Sequence, residues 1–278
     1  MCDEAFSSID IVHQCLIDES RTTAFARAIK KLVKKGDIVI DAGTGSGILA
    51  LFAARAGAKK VIALENDDFV AEITKKIVAD NGYEDIIDIK IGDARNFNFG
   101  KIKFDLVIME LLTTGMIDEY QLEANNNLHK QKVIKKSTIF IPSRVETFIS
   151  LVNAQFDLYG FKMKMVKHLW NNLSENQKYD IISNEKALNL IKFNNRNKQI
   201  FKSLVSLKPK KNGKVNAILL RSKTYLSKGI SLSDTETFNA PVIIPFEDEF
   251  VVEKNKNEKI KIQYEFGKGY QTFSTRKK

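Results

Sequence analysis

The chain has 278 residues, 44 lysines and arginines against 34 aspartates and glutamates, and a formal charge of +10, with 44% of its residues apolar. That length supports one large or two modest cores, and the composition is that of a globular protein rather than a fibrous or disordered one. No run of about 18 apolar residues is present to cross a bilayer, which predicts no membrane association.

Cys2 and Cys15 are the only cysteines, too few for a disulfide framework or a four-cysteine zinc site. The histidines, His13, His129 and His168, have no ligand spacing, so no metal is predicted. The opening MCDEAFSSID lacks an apolar core, which predicts no export signal and a cytoplasmic protein. The positive charge admits two readings, a solvated lysine-rich surface or an anionic partner such as nucleic acid. Lysines scattered from 30 to 278 without a long block suit the first.

Residues 10–35 read as helices, with Asp18 or Ser20 capping TTAFARAIKKLVKK and lysines at the end where the helix dipole favours them. DIVIDAG (37–43) is a strand, GILALFAARAGA a helix stopped at Gly57, and KKVIALE (59–65) a second strand. DDFVAEITKKIVADNG is a helix ending at Gly82, and IIDIKIGD (86–93) and FDLVIME (104–110) are further strands. Near-continuous apolar strands alternating with helices predict an α/β fold with a doubly wound parallel sheet over 1–141. After 136 the texture becomes extended: STIFIPSRVETFISLV, GKVNAILLRSK, APVIIPFEDEFVV and EKIKIQYEF predict a β-rich unit over 142–278. A polar, partly helical stretch lies between, from about 157 to 200.

DAGTGSG (41–47) sits at the first strand-to-helix turn and follows Gly-x-Gly-x-Gly, with Ile48 where a dinucleotide fingerprint has its third glycine. No phosphate-cradling Gly-x-x-x-x-Gly-Lys-Ser/Thr is present. Glu65 ends the second strand, where an acid accepts from both hydroxyls of a ribose. Asp93 ends the third, where a carboxylate can accept from an exocyclic adenine amine. Gly43, Gly45, Gly47, Glu65 and Asp93 therefore converge on one nucleoside at the strands' carboxyl ends.

This arrangement resembles the class I S-adenosylmethionine-dependent methyltransferases, with their Rossmann-like sheet. MELLTTGMIDE (109–119) places Glu110 and Glu119 nine residues apart around Gly115, and is similar to the double-glutamate loop of the protein arginine N-methyltransferase family. HQCLIDESRT (13–22), VIDAGTGSGILALFAARAGAKKVIALE, IFIPSR and DLYGFKM also resemble that family, over roughly 12–260. The resemblance implies S-adenosylmethionine as cofactor, S-adenosylhomocysteine as product, and no metal. It implies a barrel-like second domain, a possible helical arm near 157–185, and a possible homodimer through that arm. The cofactor residues it implies are His13 over the cofactor, Arg21 on its carboxylate, and Asp41, Gly43, Thr44, Gly45, Gly47, Glu65, Asp93 and Ala94. Glu110 and Glu119 would be catalytic, gripping a guanidinium and drawing charge from the attacking nitrogen.

Three departures bear on the acceptor. Leu111, Leu112, Thr113 and Thr114 follow Glu110 where the family has aromatic residues, so cation-flanking faces are expected to be missing. Asn239, Ala240 and Pro241 stand where the family has Thr-His-Trp, so Asp18 is expected to lack a partner from that loop. The tyrosine-rich lead-in before His13 is absent. The expected function is N-methylation of a protein arginine or similar cationic nitrogen. An RNA or DNA base, a small-molecule acceptor, and a non-catalytic cofactor-binding module stand as alternatives. The Asn/Asp-Pro-Pro-Tyr/Phe signature of amino-methylating nucleic-acid enzymes is missing at Met109-Glu110-Leu111-Leu112.

Overall fold

The computed structural model describes residues 8–170 and 178–278. Helices α1 (Ile9–Ile17) and α2 (Glu19–Leu32) meet at Asp18, whose carboxylate accepts from the Arg21 N–H at 3.1 Å and caps α2. Arg21, Ala24, Phe25, Ala28 and Ile29 are the buried positions of α2, the spacing that gives a helix one inward stripe. No helix among the described residues is long and apolar enough to cross a membrane.

Strand and helix then alternate: β1 (Ile38–Ala42), α3 (Ile48–Arg55), β2 (Lys60–Glu65), α4 (Asp68–Asp80), β3 (Ile87–Ile91), β4 (Phe104–Met109), α5 (Gln121–Lys130) and β5 (Ile134–Ile141). The five strands form a parallel sheet in the order β3-β2-β1-β4-β5. β1, β2 and β4 are buried almost end to end, as strands covered on both faces must be. Chain order reverses between β1 and β4, so their carboxyl ends border a crevice at a switch point.

The rest is antiparallel: β6 (Arg144–Ala154), β7 (Asp157–Leu158), β8 (Phe161–Lys162), β9 (Lys167–His168), β10 (Tyr179–Ile181), β11 (Lys186–Lys192), β12 (Ile200–Leu207), β13 (Gly213–Ser227), β14 (Ile230–Leu232), β15 (Val242–Val252), β16 (Glu258–Glu265) and β17 (Ser274–Lys277). One sheet runs β10-β6-β13-β15-β9, with β11 on β6 and β14 on β13; a second runs β12-β16-β17. Buried and open residues alternate along β16 and most of β13, the period-2 signature of a sheet with one inward face. This is the β-rich, barrel-like unit that the sequence predicts.

The helical arm expected near 157–185 is extended in its described residues, and 171–177 lie outside them. Two sequence features decide this. Tyr159 and Gly160 both take positive φ, 54° and 83°, which is the turn of a two-residue hairpin joining β7 to β8. Phe161, Met163 and Met165 then alternate with Lys162 and Lys164, a period of two rather than 3.6.

One buried apolar cluster runs through both units, from Ala24 to Phe266. The segment after β4 is tied across it. The Gly115 N–H donates to Ser222 Oγ at 2.9 Å, and Tyr264 Oη donates to the Gly115 carbonyl at 3.2 Å. The N–H groups of Gly267 and Gly269 donate to the carbonyls of Met116 and Ile117 at 3.1 and 2.9 Å. The loop between Glu110 and Glu119 is thus held by β13, β16 and the turn after β16.

Candidate active site

The turn after β1 is built to present backbone. Gly43, Gly45 and Gly47 have φ of 78°, 52° and 79°, where a side chain is strained. A Cβ on Gly43 would stand 2.5 Å from Leu111 Cδ2, and one on Gly47 2.7 Å from Thr74 Cγ2. The N–H groups of Gly43 and Thr44 both donate to the Leu64 carbonyl at 2.9 Å, and Thr74 Oγ1 donates to the Gly45 carbonyl at 2.6 Å. Asp41 lies beneath, fully buried, accepting from Thr44 Oγ1 at 2.7 Å. Burial pushes its carboxyl up to about 7 against that hydrogen bond.

Above the turn opens a cavity of about 1230 Å³ counted with its mouth. Arg21, Gly43, Thr44, Gly45 and Glu65 line it, as do Asp93, Ala94, Glu110 and Glu119. Gly47 and Asp41 do not reach it; one packs on α4, the other props the turn. His13 is not brought in either. Ile11, Val12, Cys15 and Leu16 form the inward stripe of α1, and helical spacing leaves His13 exposed.

The two glutamates meet at one end of the cavity, and Arg21 joins them. Its Nη2 pairs with Glu110 Oε1, and its Nη1 donates to Thr237 Oγ1 at 2.8 Å. Glu119 approaches closely enough to be felt: burial, and then the charge of Glu110, push it up to about 8. Burial raises Glu110 as well, opposed by the attraction and hydrogen bond of Arg21. Burial lifts Asp118 to about 6 against a hydrogen bond from Tyr270. This end of the cavity therefore holds the Arg21–Glu110 pair beside Glu119, whose proton burial and the neighbouring Glu110 both favour.

The strand-end acids are engaged by the chain itself. Glu65 accepts from the N–H groups of Gly45, Asn66 and Asp67 at 2.8, 2.8 and 3.0 Å, which fixes its two oxygens at the cavity wall. Three of about four lone-pair positions on a carboxylate are thereby occupied, leaving about one for a ligand hydroxyl. Asp93 accepts from Arg95 Nε at 2.7 Å and from the Arg95 N–H at 2.8 Å.

Several lining residues escaped the sequence reading. The expected absence of aromatic faces is corrected by Tyr120 and Phe238, which both line the cavity. Tyr120 directly follows Glu119 and was there to be read; Phe238 arrives from a distant loop. That loop also corrects the expectation for Asp18, which accepts from Thr237 Oγ1 at 2.9 Å. Gln121, fully buried, accepts from the Leu111 N–H at 2.8 Å and donates to the Met109 carbonyl at 3.0 Å. It clasps the end of β4, from which Glu110 projects. Cys15 lines the cavity with its thiol pushed up to about 12 by burial, which keeps it protonated and unreactive.

The residues present suit an S-adenosylmethionine-type ligand. Arg21 Nε and Glu119 Oε2 are buried without a hydrogen-bond partner, and a guanidinium N–H is a donor that a ligand carboxylate can meet. The glycine turn offers bare backbone to an uncharged nucleoside. Among the described residues, no group of three or more histidines, cysteines, aspartates or glutamates is placed to hold a metal ion.

Comparison with known proteins agrees. The family model for ribosomal protein L11 methyltransferase (PrmA) matches residues 19–183. An uncharacterized protein of Methanocaldococcus jannaschii is 33% identical over 84% of this chain and 84% of its own length. Protein arginine N-methyltransferase 1 of Dictyostelium discoideum is 29% identical over 61% of this chain and 48% of its own length. The chain thus spans about half the length of that enzyme. In structure it is similar to the Trypanosoma brucei PRMT1 enzyme–prozyme heterotetrameric complex with AdoHcy, with a TM-score of 0.78 at 20% identity over 99% of this chain and 98% of that one. It is also similar to Arabidopsis thaliana protein arginine methyltransferase 10, with a TM-score of 0.75 at 17% identity over 98% and 97% of the two chains. At these identities the likeness is one of fold.

Proposed function

We propose, from the premise that this chain belongs to the ribosomal protein L11 methyltransferase (PrmA) family of S-adenosylmethionine-dependent methyltransferases, that it N-methylates a guanidinium or similar cationic nitrogen on a protein. Residues 1–141 would hold the cofactor and 142–278 the other wall of the acceptor cleft. The observation that carries the reading is the placement of Glu110 and Glu119 together on one cavity with the glycine turn and Arg21.

S-adenosylmethionine, when bound, supplies a methyl group on a positively charged sulfur and leaves as the neutral thioether S-adenosylhomocysteine. Gly43, Thr44 and Gly45 would seat its nucleoside, with Glu65 on the ribose and Asp93 and Ala94 at the base. Arg21, through the unpartnered Nε, would take its carboxylate. The acceptor's guanidinium, far too basic to lose its proton at neutral pH, enters charged. Glu119, protonated below about 8, releases its proton as the cation arrives, because an adjacent positive charge favours the carboxylate. Two carboxylates then grip the guanidinium and draw its charge toward the distal nitrogens, leaving electron density on the nitrogen that faces the methyl group. Once methylated, the acceptor nitrogen would give up its proton to Glu110, Glu119 or water. Most of the barrier reduction is positional, since the reaction asks for one lone pair aligned at contact distance.

A homodimer through the β7–β8 hairpin is part of the proposal. Tyr159 is 97% exposed and Phe161 70% exposed there. Light scattering that finds only monomer removes it.

The test of the reaction is incubation with methyl-labelled S-adenosylmethionine and cell extract, then protease or nuclease digestion of separate portions. Label released by protease and recovered as methylated arginine after hydrolysis supports the proposal. Label released only by nuclease, or resident in small molecules, overturns the acceptor; no label and no cofactor uptake leaves a non-catalytic fold.

A further inference from the structure

A second hollow, about 1210 Å³ counted with its mouth, adjoins the candidate active site. Arg95 lines both. They share the first turns of α5: Tyr120 and Ala124 face the first cavity and Glu123 the second. The guanidinium of Arg95 lies 4.0 Å from the centre of the Tyr120 ring, and Lys268 Nζ lies 5.3 Å from it. Gly267 makes this proximity possible: a Cβ there would stand 3.1 Å from Tyr120 Cδ1 and 3.2 Å from the Glu119 carbonyl. The turn bearing Lys268 is therefore pressed directly against the residues that hold Glu119.

The lining of this hollow is mostly basic. Arg95, Lys130, Arg196 and Lys268 line it with a single acid, Glu123; Lys268 is bridged to Glu123 at 2.8 Å and Arg95 to Asp93 at 2.6 Å. Lys130 and Arg196 are exposed on its rim. Gln199 also lines the hollow, and both its Oε1 and its Nε2 are buried without a hydrogen bond, as is Glu123 Oε2. A buried group left this way destabilises the chain, and a ligand in the hollow would relieve it. A carboxamide offering one acceptor and one donor side by side matches the peptide unit of a polypeptide, which offers the reverse.

We propose that this hollow binds acidic side chains of the acceptor protein, so that the enzyme selects a cationic nitrogen carried within an acidic stretch of polypeptide. The proposal rests on Glu110 and Glu119 as the acceptor clamp. It resolves a conflict of charge: a +10 protein repels basic tails at long range. An acceptor with acidic flanks is instead drawn in chiefly by the exposed Lys130 and Arg196 while its one cation enters the clamp.

The test uses the full chain saturated with S-adenosylhomocysteine and fluorescein-labelled synthetic peptides, each with a central arginine flanked on both sides by glutamates or by lysines. Anisotropy at physiological salt is expected to give at least about tenfold tighter binding of the glutamate-flanked peptide, the scale of a favourable against an unfavourable charge pairing. The double reversal Lys130→Glu/Arg196→Glu, at two exposed positions, is expected to abolish or invert the preference. The preference is expected to persist when norleucine replaces the central arginine. Failure to methylate either peptide would then count against the guanidinium reading alone. Equal binding of both peptides overturns the proposal. So does displacement of the peptide by a single-stranded oligoribonucleotide that binds more tightly and is lost in the same double variant, which would make the occupant RNA.

Discussion

Thr237 donates its hydroxyl to Asp18 at 2.9 Å, joining two residues 219 positions apart. The same oxygen accepts from Arg21 Nη1 at 2.8 Å, so a loop of the β-rich unit sets both the cap of α2 and the aim of the arginine at Glu110.

Thr237→Val keeps the shape and removes both bonds. Asp18 is almost fully buried, so loss of this bond should lower stability by about 1–3 kcal/mol, the range for leaving a buried polar group unpaired. Denaturant unfolding measures it. An unchanged midpoint would mean that the hydroxyl bridge contributes nothing.

Glu119→Gln should reduce turnover by about 10²–10³-fold, the scale for losing one preorganised electrostatic group, while cofactor affinity stays near that of the parent. Glu110→Gln should reduce turnover similarly and also destabilise the chain, because the buried Arg21 loses its charge partner. Single-turnover kinetics beside calorimetry separate the effects. Full turnover in either variant would reject the clamp.

Stability of the ligand-free chain should fall as pH rises. Burial holds Glu119 at about 8 and Asp41 at about 7, against ordinary values of 4.5 and 3.8. Between those values the folded state retains protons that the unfolded chain has released, so the stabilisation is complete below about pH 4 and lost through about pH 8. Glu119→Gln, neutral throughout, should flatten the upper part of that slope. Turnover should move oppositely, rising toward pH 8 as Glu119 ionises more readily. Thermal melts that climb from pH 5 to 8 would contradict the buried, protonated Glu119.

Glu65→Ala should weaken S-adenosylhomocysteine binding by about 1.5–3 kcal/mol, the worth of hydrogen bonds to a charged group. Part of this loss is indirect, since Glu65 also fixes the Gly45 N–H at 2.8 Å. Titration calorimetry on the variant decides; parental affinity would remove Glu65 from the ribose.

The parallel sheet was legible because β1, β2 and β4 are covered on both faces, and an apolar run between glycine turns has few other uses. Gly43, Gly45, Glu65, Asp93 and Glu110 line one cavity because each sits at or just beyond the carboxyl end of a strand of one sheet, a placement legible in the order of elements. What stayed hidden depends on tertiary contact. Phe238 reaches the cavity, and Thr237 reaches Arg21, only because their loop packs on the 113–117 segment, with the Thr114 N–H donating to the Phe238 carbonyl at 3.3 Å. Nothing local in Thr-Phe-Asn-Ala-Pro announces that. His13 was misplaced because a helix of known position still has an unknown rotation, and Val12 and Cys15 took the inward face. The hairpin at 157–162 was obscured for a different reason: its apolar residues point to solvent, so burial did not produce their spacing.

The span from Thr113 to Ile117 borrows its shape. Ser222, Tyr264, Gly267 and Gly269 hold its backbone, and each belongs to the antiparallel half. On the proposed assignment, the glycine turn and Glu65 of the donor's berth belong to the parallel sheet, whereas the acceptor's grip and, through Thr237, the aim of Arg21 answer to the antiparallel half. Grafting a foreign antiparallel half onto this sheet would recalibrate the grip and one edge of the berth while the glycine turn keeps its shape.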